Sequence, residues 1–129
     1  MTRSFIIAAA SAAALTLAGT AIAADEKTSK EKATPTVQID DNHLRVTEWR
    51  FAPGAATGFH RHEHDYVVVP VRDGELKIIG PKGEVSYAQL QLGKSRFRNA
   101  GVEHDVINNG PGEMVFIEIE LKDTVIGRE

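Results

Sequence analysis

Four of the five histidines in this chain fall in two short stretches, His60, His62 and His64 in one and His104 in the other. Side chains two apart on a strand project to the same face, so His60 and His62 point together. A neutral imidazole offers a lone pair without first losing a proton, which makes it the commonest metal ligand near neutral pH. Two such groups on one face and a third from a neighbouring strand form a set that leaves coordination positions open for water or substrate. The same residues also describe a solvated, charged strand face. Phe59 and the run Tyr66 to Val69 flank the cluster, and the second stretch lies beside a glycine turn. Residue types alone leave both readings standing.

Other chemistries are easier to set aside. The chain has no cysteine, which excludes a disulfide framework and thiolate chemistry, so stability must come from a packed core. Formal net charge is −3, and Lys77, Lys82, Lys94, Arg96 and Arg98 are interleaved with strand-like residues and not massed in a run. No nucleic acid is expected as a partner. A length of 129 residues with 42% hydrophobic and 26% charged residues fits one globular domain.

The elements that would position the histidines read as strands. From Val37 onward the pattern has period two, with Leu44, Val46 and Glu48 on one side of a strand and Arg45, Thr47 and Trp49 on the other. A long β-rich run spans Phe59 to Val71. Asp73-Gly74 then reads as a hairpin turn, and Glu75 to Ile79 as the return strand. Pro81-Lys82-Gly83 turns the chain before Val85 to Leu92, Gly93 precedes Ser95 to Arg98, and Asn99-Ala100-Gly101 turns again. His104 to Ile107 and Met114 to Leu121 close the series. About eight short strands at regular spacing predict an all-β sandwich or barrel, wide enough inside for side chains or one small ligand. Pro70 breaks the pattern, since proline cannot donate to a ladder, and predicts a bulge or strand edge.

The N-terminus reads as a targeting segment. Arg3 is followed by an apolar run from Phe5 to Leu17 and by Ala21-Ile22-Ala23, the pattern of a secretory signal peptide cleaved after Ala23. The run is too short for a stable membrane anchor, which needs about 20 residues. The expected organisation is a signal peptide over 1–23, a flexible polar linker over 24–36, a β-barrel domain over 37–122 and a C-terminal tail over 123–129. The expected location is periplasmic or secreted.

Two spacings then carry a resemblance. Gly54, five residues, His60-Arg61-His62 and Gly74 stand at the spacing of the first cupin motif. Gly93, Gly101, His104 and Asn108 fall in register with the second, with Asn99 where a proline would be. The chain therefore resembles a single-domain cupin, and the resemblance implies a small double-stranded β-helix (jelly-roll) barrel. The strings Trp49 to Gly54 and Asp65 to Pro70 look like a subgroup named for β-alanine degradation. By this resemblance His60, His62 and His104 would be ligands of a divalent metal, Asn108 would help shape the surroundings of the ion, and Gly74 and Gly101 would turn the chain. Both glycines stand where a positive φ is expected. Single-domain cupins also pair as homodimers, for which Val37 to Ile39 and Met114 to Leu121 are candidate contacts.

The motif glutamate is missing, because Tyr66 and Val67 occupy the positions where it would fall. Three imidazoles with water in the remaining positions are expected, with Tyr66 donating a hydrogen bond to bound water or substrate as the candidate catalytic group. His64 reads as a rim residue, Asp65 as facing away, and Glu103 as lying on the opposite face from His104. Iron, zinc, nickel, manganese or copper would each suit neutral nitrogen donors. A site without the carboxylate keeps the full charge of the ion and favours an anionic small molecule, for which Arg96 and Arg98 are candidate binding residues. An enzyme of oxygenase or isomerase type, a non-catalytic periplasmic binder and a metal-free ligand-binding cupin all remain compatible with these residues.

Overall fold

The computed structural model describes residues 31–122. The expected signal peptide and C-terminal tail lie outside the described residues, as does the linker up to Lys30. Nine strands form two sheets: β1 (Thr34–Asp40), β2 (Leu44–Phe51), β3 (His60–Arg61), β4 (Asp65–Pro70), β5 (Gly74–Ile79), β6 (Val85–Leu90), β7 (Arg96–Arg98), β8 (Glu103–Asn108) and β9 (Met114–Leu121). One sheet has the order β1-β2-β9-β4-β7 and the other β3-β8-β5-β6, with every pairing antiparallel. The described residues contain no helix.

The core lies between the sheets. Phe51, Leu76, Leu90, Val106, Met114 and Phe116 are buried there, with Trp49, Val68 and Ile78 packed against them. Phe51 and Phe116 stack at a tilt, 5.4 Å between centroids. Thr47, Trp49 and Phe51 form the inner face of β2, the side on which the sequence places Arg45, Thr47 and Trp49. The barrel begins earlier than Val37. Ala33 is buried, donates to the Ala56 carbonyl at 2.9 Å and leads directly into β1. Residues 31–36, read from sequence as the end of a linker, are thus tied to the barrel, because a small side chain there fits the core.

The long run from Phe59 to Val71 is two strands. β3 pairs with β8 in one sheet, residues 62–64 cross over, and β4 joins the other sheet between β9 and β7. Asp73-Gly74 is therefore a crossover between sheets and not a hairpin, since β5 pairs with β6 and β8. Gly74 lacks the expected positive φ. Its constraint is space: a Cβ there would stand 2.7 Å from Met114 Sδ. Pro70 ends β4 beyond the last β7 partner, Val68, so its missing donor costs no ladder bond on that side. The hairpin at Pro81-Lys82-Gly83 is as expected, with Gly83 at φ 78°.

β9 has neighbours on both edges, β2 and β4, so only its outer face remains for contact with a second chain. β1 has a partner on one edge only, and Val37 and Ile39 are exposed on it.

Because Met114 is almost fully buried, a methyl group at position 74 must displace it within a packed core. Gly74→Ala is expected to lower unfolding free energy by about 1–3 kcal/mol, the usual cost of overpacking. Combined with Met114→Ala, the two losses should be clearly less than additive in denaturant titrations.

Candidate metal centre

His60 and His104 are direct partners across the β3–β8 ladder, which brings their side chains to one face of the sheet. His62 lies just beyond β3, and backbone bonds hold it there. Its N–H donates to the Val102 carbonyl at 2.9 Å, and its carbonyl accepts from the Gly101 N–H at 2.7 Å. Gly101 has φ 91°, a conformation that glycine adopts without strain. The second glycine expected to turn the chain does so, and the turn fixes the height of His62 beside His104.

The three rings converge. His62 Nε2 lies 3.0 Å from His60 Nε2 and 3.1 Å from His104 Nε2. His60 Nδ1 lies 2.9 Å from the Gly58 carbonyl. A carbonyl can only accept, so Nδ1 carries the proton and Nε2 keeps its lone pair. The ring of Tyr66 stacks on that of His62, 3.9 Å between centroids and 18° from parallel, which fixes the orientation of His62. Burial, and secondarily the neighbouring His60 and His104, lowers the His62 pKa to about 3. Burial and His60 likewise lower that of His104 to about 4. Both rings are neutral near pH 7 and ready to donate.

The donor set fits a metal ion. Two nitrogens about 2.1 Å from one ion are about 3.0 Å apart at right angles and about 3.4 Å apart at the tetrahedral angle. The two observed separations match those of neighbouring ligands at right angles on one ion. His60, His62 and His104 form a group that could hold a metal ion.

The surrounding cavity has a volume of about 60 Å³, room for a few waters or a small ligand and not for an extended one. Val68, Leu76, Leu90 and Val106 form its apolar wall, and Arg96 and Arg98 also line it. The charge of Arg98 is felt at both neighbours: it adds to the lowering of the His104 pKa and partly offsets the rise of the Tyr66 pKa. Arg96 donates to the Gln89 carbonyl on β6. A wider hollow of about 380 Å³ shares Trp49, Thr57, His60, His62 and Glu118 with the cavity and reaches exposed Pro35, Val37 and Arg45.

Several sequence readings are refined. Tyr66 faces inward although the strand is not continuous from His62, and burial followed by Glu118 raises its pKa to about 12, so it stays a phenol. His64 lines a separate surface hollow with Arg61, Glu63 and Lys122 and does not join the trio. Asp65 accepts from the Ala100 N–H at 2.7 Å, and Glu103 lies 3.8 Å from Arg61. Asn108 does not serve the ion. Its Nδ2 donates to the carbonyls of Phe51, Ala52 and Gly112, and its Oδ1 accepts from Gly110, which ties together loops at the far end of β8.

Sequence reasoning missed Glu118. It is 8% exposed, lines the cavity, and forms a second group with His62 and Glu120 whose ligand atoms lie within 4.8 Å of one another. Burial, then repulsion from Glu120, raises its pKa to about 7. The indole N–H of Trp49 is near enough to oppose that shift but makes no hydrogen bond and is a buried donor without a partner. The available signal was parity: Glu118 and Glu120 alternate with Ile117 and Ile119 but share a face with Met114 and Phe116, both core residues.

Two antiparallel sheets closed around a convergent imidazole set at one end define a cupin. The chain belongs to that family, whose Cupin_2 domain model matches residues 47–120. It is 56% identical over 93 residues to the β-alanine degradation protein BauB of Pseudomonas aeruginosa, a match covering 72% of this chain and 97% of that protein. A cupin domain from Bordetella pertussis Tohama I is 53% identical over 72% of this chain and 96% of its own, with a TM-score of 0.69. A double-stranded β-helix protein from Klebsiella pneumoniae, 22% identical over 72% of this chain and 79% of its own at a TM-score of 0.60, shares the fold.

The buried groups predict how the metal-free protein responds to pH. His62 and His104 bind fewer protons folded than unfolded between their lowered pKa values and about 6.5, so stability falls as pH drops through that window. Glu118 has the opposite sign: its raised pKa makes the folded state lose stability as pH rises from about 4.5 through 7. Chelator-treated protein should therefore melt at lower temperature at pH 5 than at pH 6.5. Glu118→Gln should melt higher than wild type at pH 8, with that gain absent at pH 4.

Proposed function

We propose that this chain is an exported small cupin that holds one divalent metal ion through His60, His62 and His104 and binds or acts on a small anionic molecule beside it. The convergence of three Nε2 atoms carries this reading. At 3.0 and 3.1 Å, imidazole nitrogens brought from two separate stretches of the chain stand close enough together to ligate one cation. Imidazole donors suit several divalent ions, ferrous iron, zinc, nickel and copper among them.

A bound ion would supply Lewis acidity or oxygen activation at the positions that the trio leaves open. The residues around it divide the remaining work. Tyr66 holds the His62 ring by stacking, and its phenol, protonated throughout the physiological range, is a hydrogen-bond donor for bound water or substrate. Arg98, whose charge is felt at His104 and Tyr66, is the arginine better placed to attract a carboxylate. Arg96 is committed to the Gln89 carbonyl and helps to shape the wall. The apolar wall excludes bulk water, which strengthens each of these interactions. The name of the Pseudomonas relative points to β-alanine degradation, and a small carboxylate suits both the volume and the charge of this cavity. Export rests on the N-terminal pattern ending at Ala21-Ile22-Ala23.

Protein recovered from the periplasm should begin at Ala24 by mass spectrometry and carry close to one equivalent of transition metal by elemental analysis. His62→Ala should lose most of that metal while keeping a cooperative unfolding transition, because the ring lies beside the core and not within it. Metal-free wild-type protein after gentle purification would favour a cupin whose histidines bind an organic ligand directly.

A further inference from the structure

The first cupin motif normally carries a glutamate, and this sequence has none in that place. The cavity nevertheless contains a carboxylate from another strand. Glu118 comes from the middle of β9, where its register partners are Thr47 on β2 and Val68 on β4. Neither partner carries a charge. Among the described residues Glu118 forms no salt bridge, whereas Arg45, the cation nearest in the ladder, is held by Asp40 at 2.9 Å. A carboxylate with only 8% exposure and no salt bridge is costly to bury, and a cation in the space beside it would offset that cost.

We propose that Glu118 is the outer carboxylate of the metal centre, a positioning residue that stabilises the ion held by the three imidazoles without being a fourth direct ligand. The inference rests on the three-histidine reading above. Two observations define the role. A Glu118 oxygen lies within 4.8 Å of a His62 ring nitrogen, so the carboxylate belongs to this end of the barrel. It groups with His62 and Glu120 and not with the complete trio. A direct ligand on the same ion would stand no more than about 4.2 Å from each of the three nitrogens, twice a metal–nitrogen bond. Glu118 is thus outside the inner set, within reach of His62 or of ion-bound water. Carboxylates in that position raise the basicity of a ligating imidazole and hold its orientation. Glu120 differs although it shares the face: it is less buried, and the charge of Arg45 is nearby.

The test uses the full chain, stripped with chelator and titrated with Co²⁺ alone, with affinity read by competition and the bound state by visible absorption. Wild type should bind one Co²⁺ per chain, and His104→Ala should abolish binding. Glu118→Gln should weaken binding 10- to 100-fold, the usual effect of removing an outer partner, while the band positions of bound Co²⁺ stay unchanged. Glu120→Gln should stay within about threefold of wild type. Glu118→Asp, which keeps the charge, should bind more tightly than Glu118→Gln and supports the assignment even if the glutamine variant folds poorly. Unchanged band positions, with affinity recovered in Glu118→Asp, separate this role from a merely structural one. Wild-type affinity in Glu118→Gln would overturn the inference and leave the three-histidine reading intact. Equal losses in both glutamine variants would overturn it by reducing the effect to net charge. Shifted bands would overturn the outer placement in favour of direct ligation. No Co²⁺ bound by wild type would defeat the three-histidine reading itself.

Discussion

Three ring nitrogens facing one another at about the separation of two ligands on one ion are the constraint around which this barrel is arranged. His60 cannot relieve the contact by changing tautomer without giving up its bond to the Gly58 carbonyl, and Gly58 is held in turn by Asp105. His62 cannot rotate freely under the ring of Tyr66, and low solvent access disfavours protonating either His62 or His104. Each local device has another use in a β-barrel, as a turn, a stack or a buried side chain. Together they hold three ring nitrogens in a group that could ligate one cation.

The two ends of the barrel are built by different chemistry. At one end, Asn108 uses a single amide to bind four backbone groups from the loops after β2 and β8, so that end is knit shut. His104 lies four residues earlier on the same strand, about 13 Å away, at the end where imidazoles replace backbone bonds between loops. The apolar middle, with Phe51, Phe116, Leu90 and Val106, separates the two. Rigidity at the closed end fixes the register of the strands that carry the polar groups at the other end.

Legibility followed sequence distance. Parity on one strand showed that His60 and His62 point together, and turn chemistry correctly marked Gly83 and Gly101, because both depend on neighbours along the chain. The pairing of His60 with His104 depended on register between strands 44 residues apart and was reached only through the spacing of two motifs. Asp73-Gly74 misled because a hairpin and a crossover between sheets use the same turn residues. The difference lies in which strand accepts β5, and that is a tertiary choice. Gly74 itself was marked as special for the wrong reason, since a close approach by Met114 leaves no trace in local sequence. Ala33 was passed over because a single small residue in a polar stretch carries no periodic signal, although the core has a place for it.

Glu118 was hidden by a sounder rule. On a strand with one wet face, isoleucines are expected inside and glutamates outside. β9 reverses this from its middle onward, with Glu118 in the cavity and Ile117 and Ile119 on the other face. The facing residue on β4 is apolar or aromatic instead of acidic. Tyr66 stands where an inward carboxylate of the first motif would come off that strand, and its ring fills the space against His62. A phenol whose pKa is raised to about 12 cannot replace a negative charge. The neighbouring strand is the nearest backbone from which an anion can enter the same volume. Val68, two residues beyond Tyr66, is paired with Glu118 in the ladder, and a shift of one residue in that register would turn the carboxylate out to water. The cavity thus carries its carboxylate on β9, while β4 presents an aromatic clamp on His62.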